Sequence, residues 1–407
     1  MRGRRWPERC AVNTKLQTID IDDTTCTFLL VKLAMRCNIA CTYCYWFRDA
    51  SVYEKPAVLT PEAETALVAR LTEHIEAHQL RSFAITFHGG EPLLFGKQRF
   101  AALCGRLREL ERSSGCQLRL SMTSNGVLID PEWASLLIEH RVGITLSIDG
   151  PKRAHDARRL DFAKRGTFDR VMAGLRVLRA AGIEPGVIAV CNPHDDPAAT
   201  LKFFVDELGL KKFDILMPDA THDEPPPPSI ARYYKALFDA WYVAGDARIR
   251  IIENLVAGLL GLESHTDSIG LKPITTVCVL TDGSLEPLDV LRIAGDGSTR
   301  TQVNVFEHDL HAIQADPLWR EVYQATTNLP AECRRCPYLQ ACGGGHIASR
   351  WSTARRYDNP TVYCEDIKEI MQHIWSRMLP DLYVETSDQQ VALAAAVDAA
   401  GGAHAKE

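Results

Sequence analysis

The chain contains no apolar stretch long enough to be a membrane span. Its most apolar runs, such as FLLV from Phe28, fall far short of the roughly 20 residues that a bilayer crossing needs. It also lacks an excess of either charge: 46 Lys and Arg stand against 52 Asp and Glu, a net −6, so no overall field draws it to nucleic acid or to anionic lipid, and neither is expected as a partner. Behind the arginines of MRGRRWPERC there is no apolar run, so no export signal is read there and the cytoplasm is the expected location. Internal repeats are absent too, apart from an alternation of strand-like and helix-like runs.

What the chain has in quantity is cysteine, with 13 among 407 residues. Without an export signal these are expected to be reduced thiols, and clustered ones then read as metal ligands rather than disulfides. Cys10, Cys26, Cys104, Cys116, Cys191 and Cys278 have no close cysteine partner and read as small buried apolar side chains. The other seven form two groups. Cys37, Cys41 and Cys44 lie within RCNIACTYCYW; Cys333, Cys336, Cys342 and Cys364 lie near the other end.

Between the two groups, strand-like runs alternate with helical spacing, the pattern of βα units and a parallel sheet. FLLVKLAM (28–35) precedes a helical run over 61–78 with Thr60 as its N-cap. Strands then begin at Ser82, Gln117, Val142, Gly186 and Lys212, each separated from the next by a helical pattern. Six such units are too few for a closed eightfold barrel, so the expected fold is α/β: a partial (β/α)6 barrel followed by a cysteine-rich C-terminal domain. The expected boundaries are a lead segment at 1–26, the barrel at 27–224, a proline-rich linker and bridging helix at 225–270, the cysteine-rich domain at 271–383 and a tail at 384–407. HDEPPPPS reads as a stiff spacer. The aromatic stripe of IARYYKALFDAWYVAG reads as core packing or a bridging helix, with a peptide-contacting wall as the second reading. The small-residue-rich tail is either a docking helix or frayed.

Polar and glycine residues gather where the strands end: CNIACTYC, HGGEP, TSNG, SIDG, VCNP and MPDATHD. Any one of these reads as a turn. Six at the carboxyl ends of parallel strands, where ligands collect in such folds, read as a site. Three thiolates cannot complete the tetrahedral shell of a structural zinc, nor occupy all four corners of a cubane cluster. A site one ligand short has room for an exchangeable one, while a zinc knuckle stands as the structural alternative.

The spacing Cys37-x3-Cys41-x2-Cys44, with Tyr43 before the last cysteine and the loop placed after the first strand, resembles the radical SAM superfamily over roughly residues 28–220. The resemblance implies a four-iron four-sulfur cluster on the three thiolates, with S-adenosylmethionine taking the fourth iron. It places Gly89, Gly90 and Glu91 at the methionine ammonium, where a carboxylate and open carbonyls suit a cation. Asn125, Ser147, Asp149 and Arg159 match positions near the ribose and the methionine carboxylate, and Tyr43 matches one beside adenine, with VIAVCNP packing on the other side.

Cys333-x2-Cys336-x5-Cys342-x3-His346, with Cys364 in NPTVYC, is similar to the SPASM domain of radical SAM enzymes that modify peptides. That similarity implies that Cys333, Cys336, Cys342 and Cys364 hold an auxiliary four-iron cluster. Where the family pattern has two further cysteines, this chain has Leu288 and His346. Cys278 and His346 are therefore either remnants of a second auxiliary cluster or, respectively, a buried thiol and a loop residue.

The segments CGGGH…SRW…DNPTVYC, VLTDGSLEPLDVLR and FDILMPDATHD look like those of cyclophane synthases, which join an aromatic ring to a β-carbon in a ribosomally made precursor peptide. The implied chemistry is SAM cleavage to a 5′-deoxyadenosyl radical, removal of a β-hydrogen, attack on the ring, and rearomatisation, which needs a base and an oxidant. The auxiliary cluster is the implied electron acceptor. Asp219, His222 and Asp223, at the last strand end, are candidate bases by position, and solvated loop residues by the plainer reading. The expected partners are the precursor peptide, a reductant such as flavodoxin or ferredoxin, and, with no winged-helix module expected at the N-terminus, a leader site on the barrel and SPASM surfaces or a separate leader-recognition protein. A thioether-forming or formylglycine-forming, sulfatase-maturase-like enzyme would share every cysteine. An iron–sulfur scaffold or a zinc protein without SAM chemistry is the alternative of another class.

Overall fold

The computed structural model describes residues 24–245 and 247–401. Most of the lead segment, with Cys10, and residues 402–407 of the tail lie outside the described residues. Six parallel strands, β1 (Phe28–Ala34), β2 (Ser82–Gly89), β3 (Gln117–Ser124), β4 (Val142–Ser147), β5 (Gly186–Val190) and β6 (Lys212–Leu216), lie side by side in chain order. Each neighbouring pair is parallel, and the connecting helices cover the outer face, so the predicted partial barrel is the observed fold. Alternation along β2 and β3 buries every second side chain, the period expected of strands packed against a helical layer.

The helices begin where their sequences direct. Pro61–Ala77 starts with Thr60, whose Oγ1 accepts the Ala63 N–H at 3.1 Å. Asp130 accepts the Trp133 N–H at 2.9 Å ahead of Pro131–Glu139, and Asp196 accepts the Ala198 N–H ahead of Pro197–Lys202. In all three a proline follows the cap, at a position whose N–H has no helical partner to lose.

The sheet extends beyond the six expected strands at both edges. β7 (Arg248–Ile249) adds to β6, in a region read from the sequence as a linker. At the opposite edge, β8 (Val277–Val279) pairs in parallel with β1, Leu29 opposite Val277, and β9 (Leu285–Glu286) pairs antiparallel with β8. The cysteine-rich part of the chain is thus joined to the barrel through the sheet itself. The aromatic stripe lies on Ala231–Ala244, where Tyr234, Leu237 and Phe238 are buried. Phe238 stacks on Tyr242 and meets the ring of His373 edge-on, which fixes this helix to the long C-terminal helix Cys364–Gly401. One large apolar core runs through the barrel; a smaller one, around Leu288, Leu291, Ile347 and Trp351, underlies the cysteine-rich region. Among the described residues, no helix is long and apolar enough to cross a membrane.

Candidate active site

The three-thiol loop leaves the end of β1 and is held first by backbone. The HGGEP turn lies against it, with Gly90 N–H donating to Ala34 O at 2.8 Å and Glu91 N–H to Arg36 O at 2.9 Å. A Cβ on Gly90 would stand 2.3 Å from Arg36 O, and one on Gly89, at φ +148°, 2.1 Å from Ala34 O. Only glycine permits this approach. A two-residue antiparallel ladder, Ala40–Cys41 with Arg159–Leu160, then sets Cys41 opposite Arg159.

The loop opens on a cavity of about 320 Å³. One wall carries Cys37, Cys41, Cys44, Tyr43, Gly89, Gly90, Asn125, Ser147 and Arg159, all of them residues singled out in the sequence. The Asn125 amide donates to Cys37 Sγ at 3.6 Å, and an Arg159 guanidinium N–H lies 3.9 Å from Cys41 Sγ. Burial pushes the Cys37 thiol up to about 12 and that of Cys41 to about 11, so both stay protonated until a metal displaces the proton.

Glu91 and Asp149 lie behind this wall. The Glu91 carboxylate accepts from Ser124 Oγ, Asn125 N–H and Leu93 N–H, and burial raises its pKa to about 7. It thereby fixes Asn125, which faces Cys37. Asp149 accepts from the Tyr43 hydroxyl at 2.6 Å and Val190 N–H at 3.1 Å, and pairs with Arg159 at 3.1 Å. Burial would raise its pKa; Arg159 and Arg158 outweigh that and hold it below the usual carboxylate range. Tyr43 is thus oriented by Asp149, with the Arg158 guanidinium over its ring at 4.7 Å.

The rest of the lining is partly apolar, with Met217, Leu288, Val290, Tyr363 and Ile367, and partly acidic, with Asp219 and Asp289. The candidate bases separate here. Asp219 lines the cavity 3.7 Å from His346 Nδ1, and burial raises its pKa against the opposing effect of His346. His222 is turned to Pro360 O at 2.8 Å, and the Asp223 carboxylate accepts from Thr353 N–H and Oγ1, so both tie the barrel to the cysteine-rich region.

Four residues here were not anticipated: Lys32, Tyr45, His88 and Asp289. The Lys32 ammonium, fully buried in β1, pairs with Asp289, donates to His88 Nδ1 at 2.9 Å and lies 4.3 Å from the centre of the Trp46 ring. Tyr45 donates to Asp289 at 2.6 Å. Burial would raise the Asp289 pKa; Lys32 and His88 outweigh it, and the carboxyl is held far below its ordinary value. The available signal was a lysine inside the apolar run FLLVKLA.

The second thiol group lines a separate, smaller pocket: Cys333, Cys336, Cys342 and Cys364, with Tyr338, Thr361 and Lys368. Burial pushes Cys342 up to about 12. Each thiol group lines a cavity; among the described residues neither is drawn together tightly enough to hold a single metal ion, and a cluster takes one thiolate per iron at separate corners. The first has three donors and an open side; the second has four. Leu288 belongs to the apolar wall and Cys278 is buried in β8.

Residues 31–203 match the Radical SAM superfamily, and they contain the three-thiol loop and the strand ends described above. Residues 31–203 thus form a radical SAM domain, that of a class of enzyme that uses a four-iron cluster and S-adenosylmethionine, and Cys37, Cys41 and Cys44 are the residues of this chain that would hold that cluster. Over 378 residues it is 26% identical to the cysteine-type anaerobic sulfatase-maturating enzyme of Clostridium perfringens, covering 86% of this chain and 97% of that one. The serine-type anaerobic sulfatase-maturating enzyme of Bacteroides thetaiotaomicron is 24% identical, with 83% and 86% covered. In structure the chain resembles native anSMEcpe with bound AdoMet and Cp18Cys peptide, at TM-score 0.74 and 24% identity over 87% of this chain and 98% of that one. It also resembles Streptococcus suis SuiB bound to S-adenosylmethionine, at TM-score 0.53 and 18% identity, with 79% and 71% covered.

Proposed function

We propose that this enzyme modifies a ribosomally made precursor peptide, joining an aromatic ring to the β-carbon of a nearby residue. The observation that carries the reading is one cavity with two kinds of lining: three thiols with the strand-end residues, and an apolar surface with a raised-pKa carboxyl. Cys37, Cys41 and Cys44 would hold a cluster that, with S-adenosylmethionine, would supply radical abstraction of a β-hydrogen, and Cys333, Cys336, Cys342 and Cys364 would hold a second cluster able to accept the departing electron.

The chain's own residues do the rest. Asn125 and Arg159 orient the thiol loop, with Glu91 and Asp149 holding them from behind. Gly89 and Gly90 expose backbone to the methionine ammonium, and Ser147 and Tyr43 face the nucleoside. Leu288, Val290, Met217 and Tyr363 form an apolar seat for an aromatic side chain and exclude water. Asp219, whose pKa is raised, is the group suited to take the ring proton. Asp289, held ionised by Lys32, is a weaker base and fixes the Tyr45 hydroxyl. Closure of the ring removes two hydrogens from the peptide, one as the abstracted atom and one as the proton taken by Asp219. The similarity of CGGGH…SRW…DNPTVYC to cyclophane synthases supports the reading, as does the peptide bound in one of the structures that resemble it.

The full-length relatives favour a second outcome of the same first step. They mature sulfatases, and a formylglycine would arise here if the β-carbon belonged to Cys or Ser. Incubation of the reconstituted enzyme with synthetic peptides, read by tandem mass spectrometry, separates the two. A loss of two hydrogens with no fragmentation between an aromatic residue and its partner is expected; an aldehyde at Cys or Ser, with aromatic residues untouched, would replace the first reading by the second. A reductant of the flavodoxin or ferredoxin type and a leader-binding protein complete the proposed partners.

A further inference from the structure

Arg350 is 1% exposed, yet its charge is incompletely met. Its Nε donates to Asn359 O at 2.9 Å and its Nη2 to Tyr357 O at 2.7 Å, while the buried Nη1 has no hydrogen-bond partner. Among the described residues no carboxylate forms an ion pair with it. The titratable groups with most effect on it are Cys333 first, then Asp358 and Cys342; the two cysteines are thiols raised by burial, and the Asp358 side chain is 71% exposed. A buried guanidinium without a counter-charge is costly, and the usual resolutions are a partner or a nearby anion. Gly344 supplies the geometry. A Cβ there would stand 3.5 Å from Arg350 Nη1, and Gly344 also lines the four-thiol pocket, its N–H donating to Cys342. The guanidinium thus sits behind the glycine that separates it from the thiols.

We propose that Arg350 is the buried counter-charge of the four-thiol site, neutralising the negative charge that the site acquires when Cys333, Cys336, Cys342 and Cys364 hold an iron–sulfur cluster. This rests on the reading that those cysteines hold one. A four-iron cluster on four thiolates is an anion in either oxidation state and gains a further negative charge on reduction. A cation fixed beside it favours the reduced form, because net charge and the surroundings of the sulfurs set the potential. Arg350 tunes the site from behind; it does not ligate it.

The test uses reconstituted full-length protein carrying Cys37→Ala, Cys41→Ala and Cys44→Ala, so that only the second site is loaded. Its readouts are iron content and an EPR-monitored redox titration. Arg350→Gln is expected to disfavour reduction by about tenfold, a shift of about 59 mV to lower potential for a one-electron couple. Arg350→Lys, which keeps the charge, is expected to stay close to the parent. If Arg350→Gln loses the cluster while Arg350→Lys keeps it at the parent potential, the charge role is likewise supported. An unchanged potential in Arg350→Gln overturns it, as does Arg350→Lys behaving like Arg350→Gln, which would make Arg350 a structural pin for Tyr357 and Asn359. A parent protein without iron would instead remove the cluster reading itself.

Discussion

The two thiol groups are built on opposite principles. Cys37, Cys41 and Cys44 sit at the rim of a large cavity, their loop held by glycines and a two-residue ladder, with polar donors from Asn125 and Arg159 aimed at the sulfurs. Cys333, Cys336, Cys342 and Cys364 ring a smaller pocket of their own, with an arginine buried behind it. The first arrangement leaves room for a ligand beside the thiols; the second offers four thiols around a much smaller space. On the proposed function, their separation would keep the first site open to SAM and peptide while a cluster on the second stays apart from both.

The largest effect should come from removing the open site. Cys37→Ala, Cys41→Ala and Cys44→Ala together are expected to abolish 5′-deoxyadenosine formation and to lower bound iron from about eight to about four atoms per chain. Nucleoside release by that protein would break the comparison at its root. Cys364→Ala should act on the closed site alone: SAM cleavage persists and modified peptide is lost. If the peptide is modified at the parent rate with the second cluster absent, the electron leaves by another route.

Asp219→Asn is next, with an expected fall in product of about a hundredfold or more and SAM cleavage retained, as for loss of a general base. The unsubstituted enzyme should lose product formation as pH falls through the raised Asp219 pKa, so its acid limb lies above the ordinary aspartate range near about 3.9. A limb at that ordinary value, or an Asn variant as fast as the parent, points to a different proton acceptor. The smallest effect is on stability: Gly90→Ala is expected to cost about 1–3 kcal/mol by thermal unfolding, as overpacking does, because its Cβ meets backbone that cannot yield. An unchanged melting temperature would show that the thiol loop is not held by this approach.

The barrel was legible because its signals are local. Thr60, Asp130 and Asp196 cap helices within four residues of the groups they bind, and alternation in β2 and β3 is complete within eight residues. Cysteine spacing likewise gave both thiol groups. What escaped was long-range. Val277–Val279 is too short to show a period and is a strand only because β1 lies beside it. The lysine inside FLLVKLA cannot be given a role until its partner Asp289, 257 positions away, is seen to be buried with it. Asp219, His222 and Asp223 share one strand end in the sequence, but only the fold separates the cavity-lining Asp219 from two residues that fasten the cysteine-rich region.

The pairing of Val277–Val279 with β1 also sets an order of events. β1 leaves the ribosome among the first elements, yet one of its two edges finds its partner only after nearly 250 further residues have followed. Until then, a largely apolar strand offers its free N–H and C=O groups to any other chain, the situation in which sheets mispair and aggregate. Such a distant contact is also slow to close. Shortening the protein from its C-terminal side would therefore do more than delete the four-thiol pocket: it would leave the strand that carries the first thiol loop open along one edge.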